Sequence, residues 1–322
     1  MEDANAEPSD RDATLMPSQE MRVAASPANA EPSDRDATLT PSQEMPVATS
    51  PAAPAFCPTC GGATPGMPAP HVYAIGRMQA RFASESVEKE FAQVASRSET
   101  AGKTDQQTFH TVLSDPENRY LARQMCWVLT VNGLECYLVH PRDSADFGRL
   151  VETIRPEPSP LDIDVVIGLR GPVAPPEACK GLMLPLVAME QVYSFDRDAL
   201  IEALPGSGKG SKKEKAASEE VLDRILDLTD NLGATDEHRA TNYLALRYPG
   251  VYAKAAEQFE RDFSLSGVTA QPSLLSSTRR IVDVIFSFTN RSTDFTEKFV
   301  VSCDVTDTFP FLVTKLSPYY DH

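Results

Sequence analysis

No stretch of this chain approaches the roughly 18 to 20 consecutive apolar residues of a membrane-spanning helix, so membrane insertion by a helix is not expected. Cationic side chains are in short supply: 30 Lys and Arg stand against 46 Asp and Glu, a formal charge of −16. Nucleic acid and anionic membrane surfaces select basic proteins, so neither is expected as a partner. The N-terminal MEDANAEPSDRD is acidic and lacks the apolar run of a secretory signal, which points to the cytoplasm. In that reducing compartment the six cysteines are expected as thiols or metal ligands rather than as a disulfide framework. Catalytic patterns are missing as well. There is no G-x-S-x-G elbow, no H-E-x-x-H helix, no Rossmann glycine signature and no EF-hand loop. The five histidines, His71, His110, His140, His238 and His322, have no mutual spacing, and each reads as a surface or satisfied core residue. PGSGKGSKKEK (Pro205–Lys215) has Gly210 where a phosphate-binding loop needs Ser or Thr, and reads as a flexible, basic loop.

The first segment is a tandem repeat. ANAEPSDRDATLMPSQEMRVAASP (Ala4–Pro27) recurs as ANAEPSDRDATLTPSQEMPVATSP (Ala28–Pro51). Rich in Pro, Ser and acids and with almost nothing to bury, residues 1–54 cannot offset the entropy of ordering and are expected as a disordered arm. Residues 55–70 follow as a linker that carries FCPTCGG. Cys57-x-x-Cys60 before glycines is a knuckle able to supply half of a tetrahedral zinc site. Cys126 and Cys179 are candidates to complete it, with His71, Cys136 and Cys303 as other singly placed ligands. Idle linker thiols and a redox pair remain open alternatives, although a redox CxxC should follow a strand and open a helix.

From His71 onward the pattern is that of an α+β fold: mixed or mostly antiparallel sheets with several packed helices, over residues 71–322. A flexible loop at 205–216 divides it into candidate lobes 71–204 and 217–322. Val72–Phe82 reads as a strand, and Ser86 as the cap of a helix carrying Val87, Phe91 and Val94. A helical segment over Lys103–Ser114 and one restarting at Pro116 lead into the clearest local signal. Cys126, Val128 and Thr130 alternate with Trp127, Leu129 and Val131, and Asn132-Gly133 suits a two-residue turn with positive φ at both positions. Leu134–His140 then returns. Ser144–Ile154 is helical, and Asp162–Ala174 and Gly181–Phe195 are strand-like. Asp162 and Asp164 share a strand face, where they either act together or cap the proline-rich turn before them. Three amphipathic helices follow, the last with Val251, Ala255, Phe259 and Phe263 at four-residue spacing. Strands at Ile281–Phe288, Phe299–Val305 and Phe309–Leu316 end the chain.

VYAIGRMQARFASESVEKEFAQ, ENRYLARQMCWVLTVNGLECYLVHPRDSADF, VVIGLRGPVAPPEACKGLMLPLVAMEQVYSF and FPFLVTKLSPYYD resemble the C-terminal domain of cyanobactin maturation proteases of the PatG type, which also closes the companion PatA-type protease. The resemblance spans about Phe56 to His322. It implies a role in making ribosomally synthesised, post-translationally modified peptides, but carries over no reaction: no subtilisin-type aspartate, HGT or GTS motif is present. The expected function is therefore a non-catalytic accessory or scaffold protein binding a precursor peptide, a subtilisin-like maturation protease or a second copy of itself. Sheet edges in the hairpin or the terminal strands are the expected docking places. The alternative is a peptide-modifying enzyme of unassigned reaction using a cysteine or bound zinc.

Overall fold

The computed structural model describes residues 54–56, 63–65, 70–98, 100–196, 200–201, 212–276 and 278–320. The tandem repeat, Cys57, Cys60 and most of the 205–216 loop lie outside them. Among the described residues there are seven α-helices and two larger, mostly antiparallel sheets, the α+β class expected. Pro51–His322 forms one compact unit.

It opens with a short antiparallel pair, β1 (Pro54–Phe56) and β2 (Ala63–Pro65), with Phe56 opposite Ala63. The strand β3 (His71–Phe82) then leads to three helices, α1 (Glu85–Arg97), α2 (Asp105–Ser114) and α3 (Arg119–Gln124). The α1 cap is Ser84 rather than Ser86: its Oγ accepts from Val87 N at 3.4 Å, two residues earlier than expected. Thr104 caps α2 with a full capping box, Gln107 reaching back to the Thr104 N–H. Next come the hairpin strands β4 (Met125–Val131) and β5 (Leu134–Pro141), the helix α4 (Phe147–Glu152), and the long strands β6 (Asp162–Val173) and β7 (Pro185–Asp196). The hairpin turn is as expected, with φ of 50° at Asn132 and 80° at Gly133.

These five strands close into a barrel in the order β3-β4-β5-β7-β6, antiparallel except where β5 runs parallel to β7. Closure depends on β3 changing neighbours along its length. From His71 to Gly76 it pairs with β6, and from Arg77 to Phe82 with β4. Gly76 sits at the crossover, where a Cβ would lie 2.2 Å from the Thr130 carbonyl oxygen. No side chain fits there, so the close approach of β3 and β4 requires glycine. Every residue of β4 is buried. Trp127, Leu129 and Val131 join the core shared with α1–α4, while Cys126 and Val128 face a smaller cluster with Leu138 and Ala174. Trp127 also satisfies its indole N–H on Ala122 O at 2.9 Å; burying an apolar side chain of this size stabilises by about 2–3 kcal/mol.

The second half begins with α5 (Lys212–Leu228), so residues 212–215 are helical rather than loop. The helices α6 (Asp236–Arg247) and α7 (Pro249–Glu260) follow. Asp262, with φ of 65°, then reverses the chain, and Phe263 starts a strand instead of extending the helix. That strand, β8 (Phe263–Pro272), has no counterpart in the sequence expectation. With β9 (Ile281–Asn290), β10 (Thr296–Asp304) and the two-residue strands β11 (Phe311–Leu312) and β12 (Ser317–Pro318) it forms the second sheet. The expected third strand over Phe309–Leu316 is reduced to the short β11.

A single apolar core joins the two halves: Tyr73, Ile75, Ile163, Val165 and Ile167 of the barrel pack with α5–α7 and the inner face of the second sheet. Backbone bonds reinforce the junction, since Tyr73 N and Ile75 N donate to Gly233 O and Asn231 O, and Asn242 Nδ2 donates to Tyr73 O. Arg239, 1% exposed, is the largest buried cation. It donates to the carbonyls of Val305, Asp307 and Thr308 and pairs with Asp236, which fixes the chain after β10.

Candidate functional site

The cysteines expected as ligands divide into three groups. Cys57 and Cys60 lie outside the described residues, in the span that β1 and β2 bracket. Cys126 and Cys179 are joined to each other as a disulfide, with Cα atoms 5.8 Å apart. This corrects the expectation of thiols: in the bonded form neither sulfur is a thiolate able to hold a metal. A tight turn makes the pairing: Cys179 and Lys180 both have positive φ, which swings the 178–181 turn back over the outer face of β4. The bond lines a cavity of about 470 Å3 with Phe82 and Phe109, and Lys180 pairs with Glu88 beside it at 2.7 Å. Cys136 and Cys303 are free, and burial pushes both thiols up, Cys303 to about 12, so Cys303 stays protonated at neutral pH. Among the described residues no group of three His, Cys, Asp or Glu converges as a metal site.

Three of the histidines are similarly occupied, while His110 lines a cavity among α2, α3 and α4. His71 Nδ1 lies 3.1 Å from Thr308 Oγ1, and its pKa is lowered by burial and by nearby Arg239. His140 packs edge-on to Phe147, and His238 faces Asp230 at 3.5 Å. The two strand aspartates have separate structural tasks. Asp162 accepts from Ser159 N and pairs with Arg155 at 3.2 Å. Asp164, 3% exposed, accepts from Met78 N at 2.7 Å, where β3 has left β6 and the amide would otherwise have no acceptor. Burial raises its pKa to about 6, against the lowering effect of that N–H.

What remains is backbone. Barrel closure covers most of the hairpin, β4 by β3 and β5 by β7 over Leu138–Pro141, so at the hairpin an added strand finds only the short Leu134–Tyr137 flank. In the second sheet the outer flank of β10 is covered, because Val313 N and Tyr319 N donate to Ser302 O and Lys298 O. Among the described residues of the two larger sheets, the long free edge belongs to β8, which pairs only with β9.

Ladder parity determines which groups that edge presents. Ser273 N donates inward to Ile281 O, so at alternate residues the N–H and C=O point outward. The outward set includes Leu265, whose carbonyl accepts from Arg224 Nε on α5 at 3.1 Å. Beyond the bulge between Leu265 and Gly267 it comprises Val268, Ala270 and the carbonyl of Pro272. Among the described residues no donor or acceptor meets the outward groups of Val268, Ala270 and Pro272. Long edges are normally protected by charge, proline or a covering element, yet FSLSGVTAQP contains no charged residue and its proline comes last. Val268 and Ala270 turn their side chains toward the core, and Thr269 and Gln271 face solvent. Just beyond, Leu274 and Leu275 are exposed, at 102% and 60%.

Residues 208–319 match the PatG C-terminal family model, a stretch running from α5 to β12. No curated protein matches the chain. The fold is similar to the solved structure of a PatG domain of unknown function, with a TM-score of 0.62 and 18% identity over 78% of this chain and 99% of that one. No helix among the described residues is long and apolar enough to cross a membrane.

Proposed function

This chain carries a PatG C-terminal-type domain, and from that premise we propose that it is a cytoplasmic, non-catalytic accessory protein in the biosynthesis of ribosomally made, cyanobactin-like peptides. It holds the linear precursor as an added strand on β8. The observation that supports this reading is the uncharged edge from Val268 to Pro272, whose outward peptide groups have no partner among the described residues. An extended peptide satisfies them by main-chain bonding, which tolerates variable sequence. The pleat directs its alternate side chains to the two faces, and Leu274 and Leu275 offer apolar contact beyond the strand end.

Calorimetry of the full chain with a linear cyanobactin precursor peptide tests the proposal. Micromolar or tighter binding is expected. Ala270→Pro removes an outward N–H without touching the ladder, and should weaken binding about tenfold or more with the fold retained. Thr269→Pro removes an inward N–H and should destabilise the sheet itself. Absence of heat with the wild type, or wild-type affinity in Ala270→Pro, would overturn the assignment. A maturation protease or a second copy docking through the same edge would register as Ala270→Pro-sensitive complex formation in sedimentation, with no response to the peptide.

The strand pair β1–β2 around Cys57 and Cys60 supports a second reading, in which these two thiols bind zinc and carry either structure or an unassigned peptide-modifying step. Metal analysis of the purified chain and of a Cys57→Ser, Cys60→Ser variant decides it. Zinc lost in the variant supports the site, and a metal-free wild type removes it.

A further inference from the structure

A second cavity, of about 360 Å3, lies among α2, α3 and α4. Its floor is apolar and buried, formed by Leu113, Ala122, Phe147 and Val151. Arg119 and Arg123 stand over it, four residues apart and therefore on one face of α3. Among the described residues neither guanidinium has an ion pair or hydrogen bond. Several exposed arginines elsewhere in this acidic chain pair with carboxylates: Arg81 with Glu135, Arg142 with Glu190, Arg261 with Glu297, Arg280 with Asp236. Gly148 on α4 borders the same cavity, and a Cβ there would meet nothing within 4 Å, so the space reaches the helix backbone.

We propose that this cavity binds the C-terminal carboxylate of a linear peptide whose last side chain is apolar. Two unpaired guanidinium groups on one face match the two oxygens of a carboxylate, and planar forks of this kind bind it bidentately. The apolar floor requires the anion to sit on an apolar stem, as it does in a terminal Leu or Phe. Glu152, also in the lining and without a cation of its own, repels a second negative charge and so disfavours phosphate. The cavity therefore reads the free end of a chain, a feature that a cyclised peptide lacks. This goes beyond pairing on β8, involves different residues, and stands or falls separately.

The test is calorimetry on the full chain with N-acetyl-Phe-Leu as free acid, its C-terminal amide, hexanoate and inorganic phosphate. The acid is expected to bind, the amide and hexanoate about tenfold or more weakly, and phosphate least. Arg119→Gln with Arg123→Gln should cut acid binding by about tenfold or more without altering the circular dichroism spectrum, since both side chains are exposed. Gly148→Trp should fill the cavity and abolish binding; if that variant does not fold, the arginine pair still decides. Ala270→Pro should leave acid binding unchanged. Equal binding of acid and amide, hexanoate as tight as the peptide acid, phosphate as tight as either, indifference of the double arginine variant, or loss in Ala270→Pro would each overturn the proposal.

Discussion

The barrel and the second sheet solve the problem of unpaired strand edges in opposite ways. In the barrel β3 serves two neighbours, Gly76 allows the crossover, and Asp164 supplies an acceptor where the ladder parts. Every strand has a neighbour on each side along part of its length, and the helices α1–α4 and α5–α7 cover the barrel's faces. The second sheet is closed on the β10 side by the chain's last residues and left open at β8. Closure demands conformational specialists and buried polar groups. The open edge needs neither, and from Val268 to Pro272 it is built from uncharged residues whose outward backbone groups meet no described residue. Both halves bury charged groups, Asp164 in the barrel and Arg239 and Asp304 in the second half, so the open flank of β8, rather than any difference in buried polarity, sets the proposed docking surface apart.

Substitution of the glycines should break this contrast most strongly. Gly76→Ala places a Cβ 2.2 Å from Thr130 O in a barrel that cannot yield, and should cost about 3 kcal/mol or more in chemical denaturation. A retained midpoint would mean that the β3 crossover is looser than its geometry. A second, intermediate effect concerns Asp164. Its folded pKa of about 6 lies above the ordinary 3.8, so the folded state binds more protons than the unfolded state between those values. Stability from this group is present below the lower pKa and is lost as pH rises through about 6. Asp164→Asn keeps an acceptor for Met78 N and should flatten the decline in stability between pH 4 and 6, a term on the order of 3 kcal/mol. An unchanged slope in the variant would exclude Asp164 as its source. The smallest effect belongs to the open sheet. At Gly267 an added Cβ meets only Ser287 Cβ, at 3.8 Å, and Gly267→Ala should alter stability by no more than about 0.5 kcal/mol.

Much of this architecture was legible where local chemistry and tertiary demand coincide. Asn132-Gly133 can hardly serve as anything but a tight turn, and the stripes of α5, α6 and α7 must each bury a side. The candidate edge was not legible. FSLSGVTAQP has a bulge at its centre that puts Phe263 and Leu265 out of step with Val268 and Ala270, so the alternation by which half-buried strands are recognised breaks midway. Phe263 completed a helical spacing that Asp262 interrupts with a left-handed residue, a switch that an aspartate does not announce. The disulfide was hidden for a different reason. Expected reducing surroundings argued for thiols, and Cys126 and Cys179, 53 residues apart, meet only because a turn of two positive-φ residues folds over β4.

The sequence by itself determined the local elements and the α+β class, because turn chemistry and hydrophobic period act over a few residues. Only the tertiary structure decided which edges survive, which arginines lack a carboxylate and which cysteines meet. Those properties depend on long-range register and on what packs beside each group, and no window of neighbouring residues contains that information.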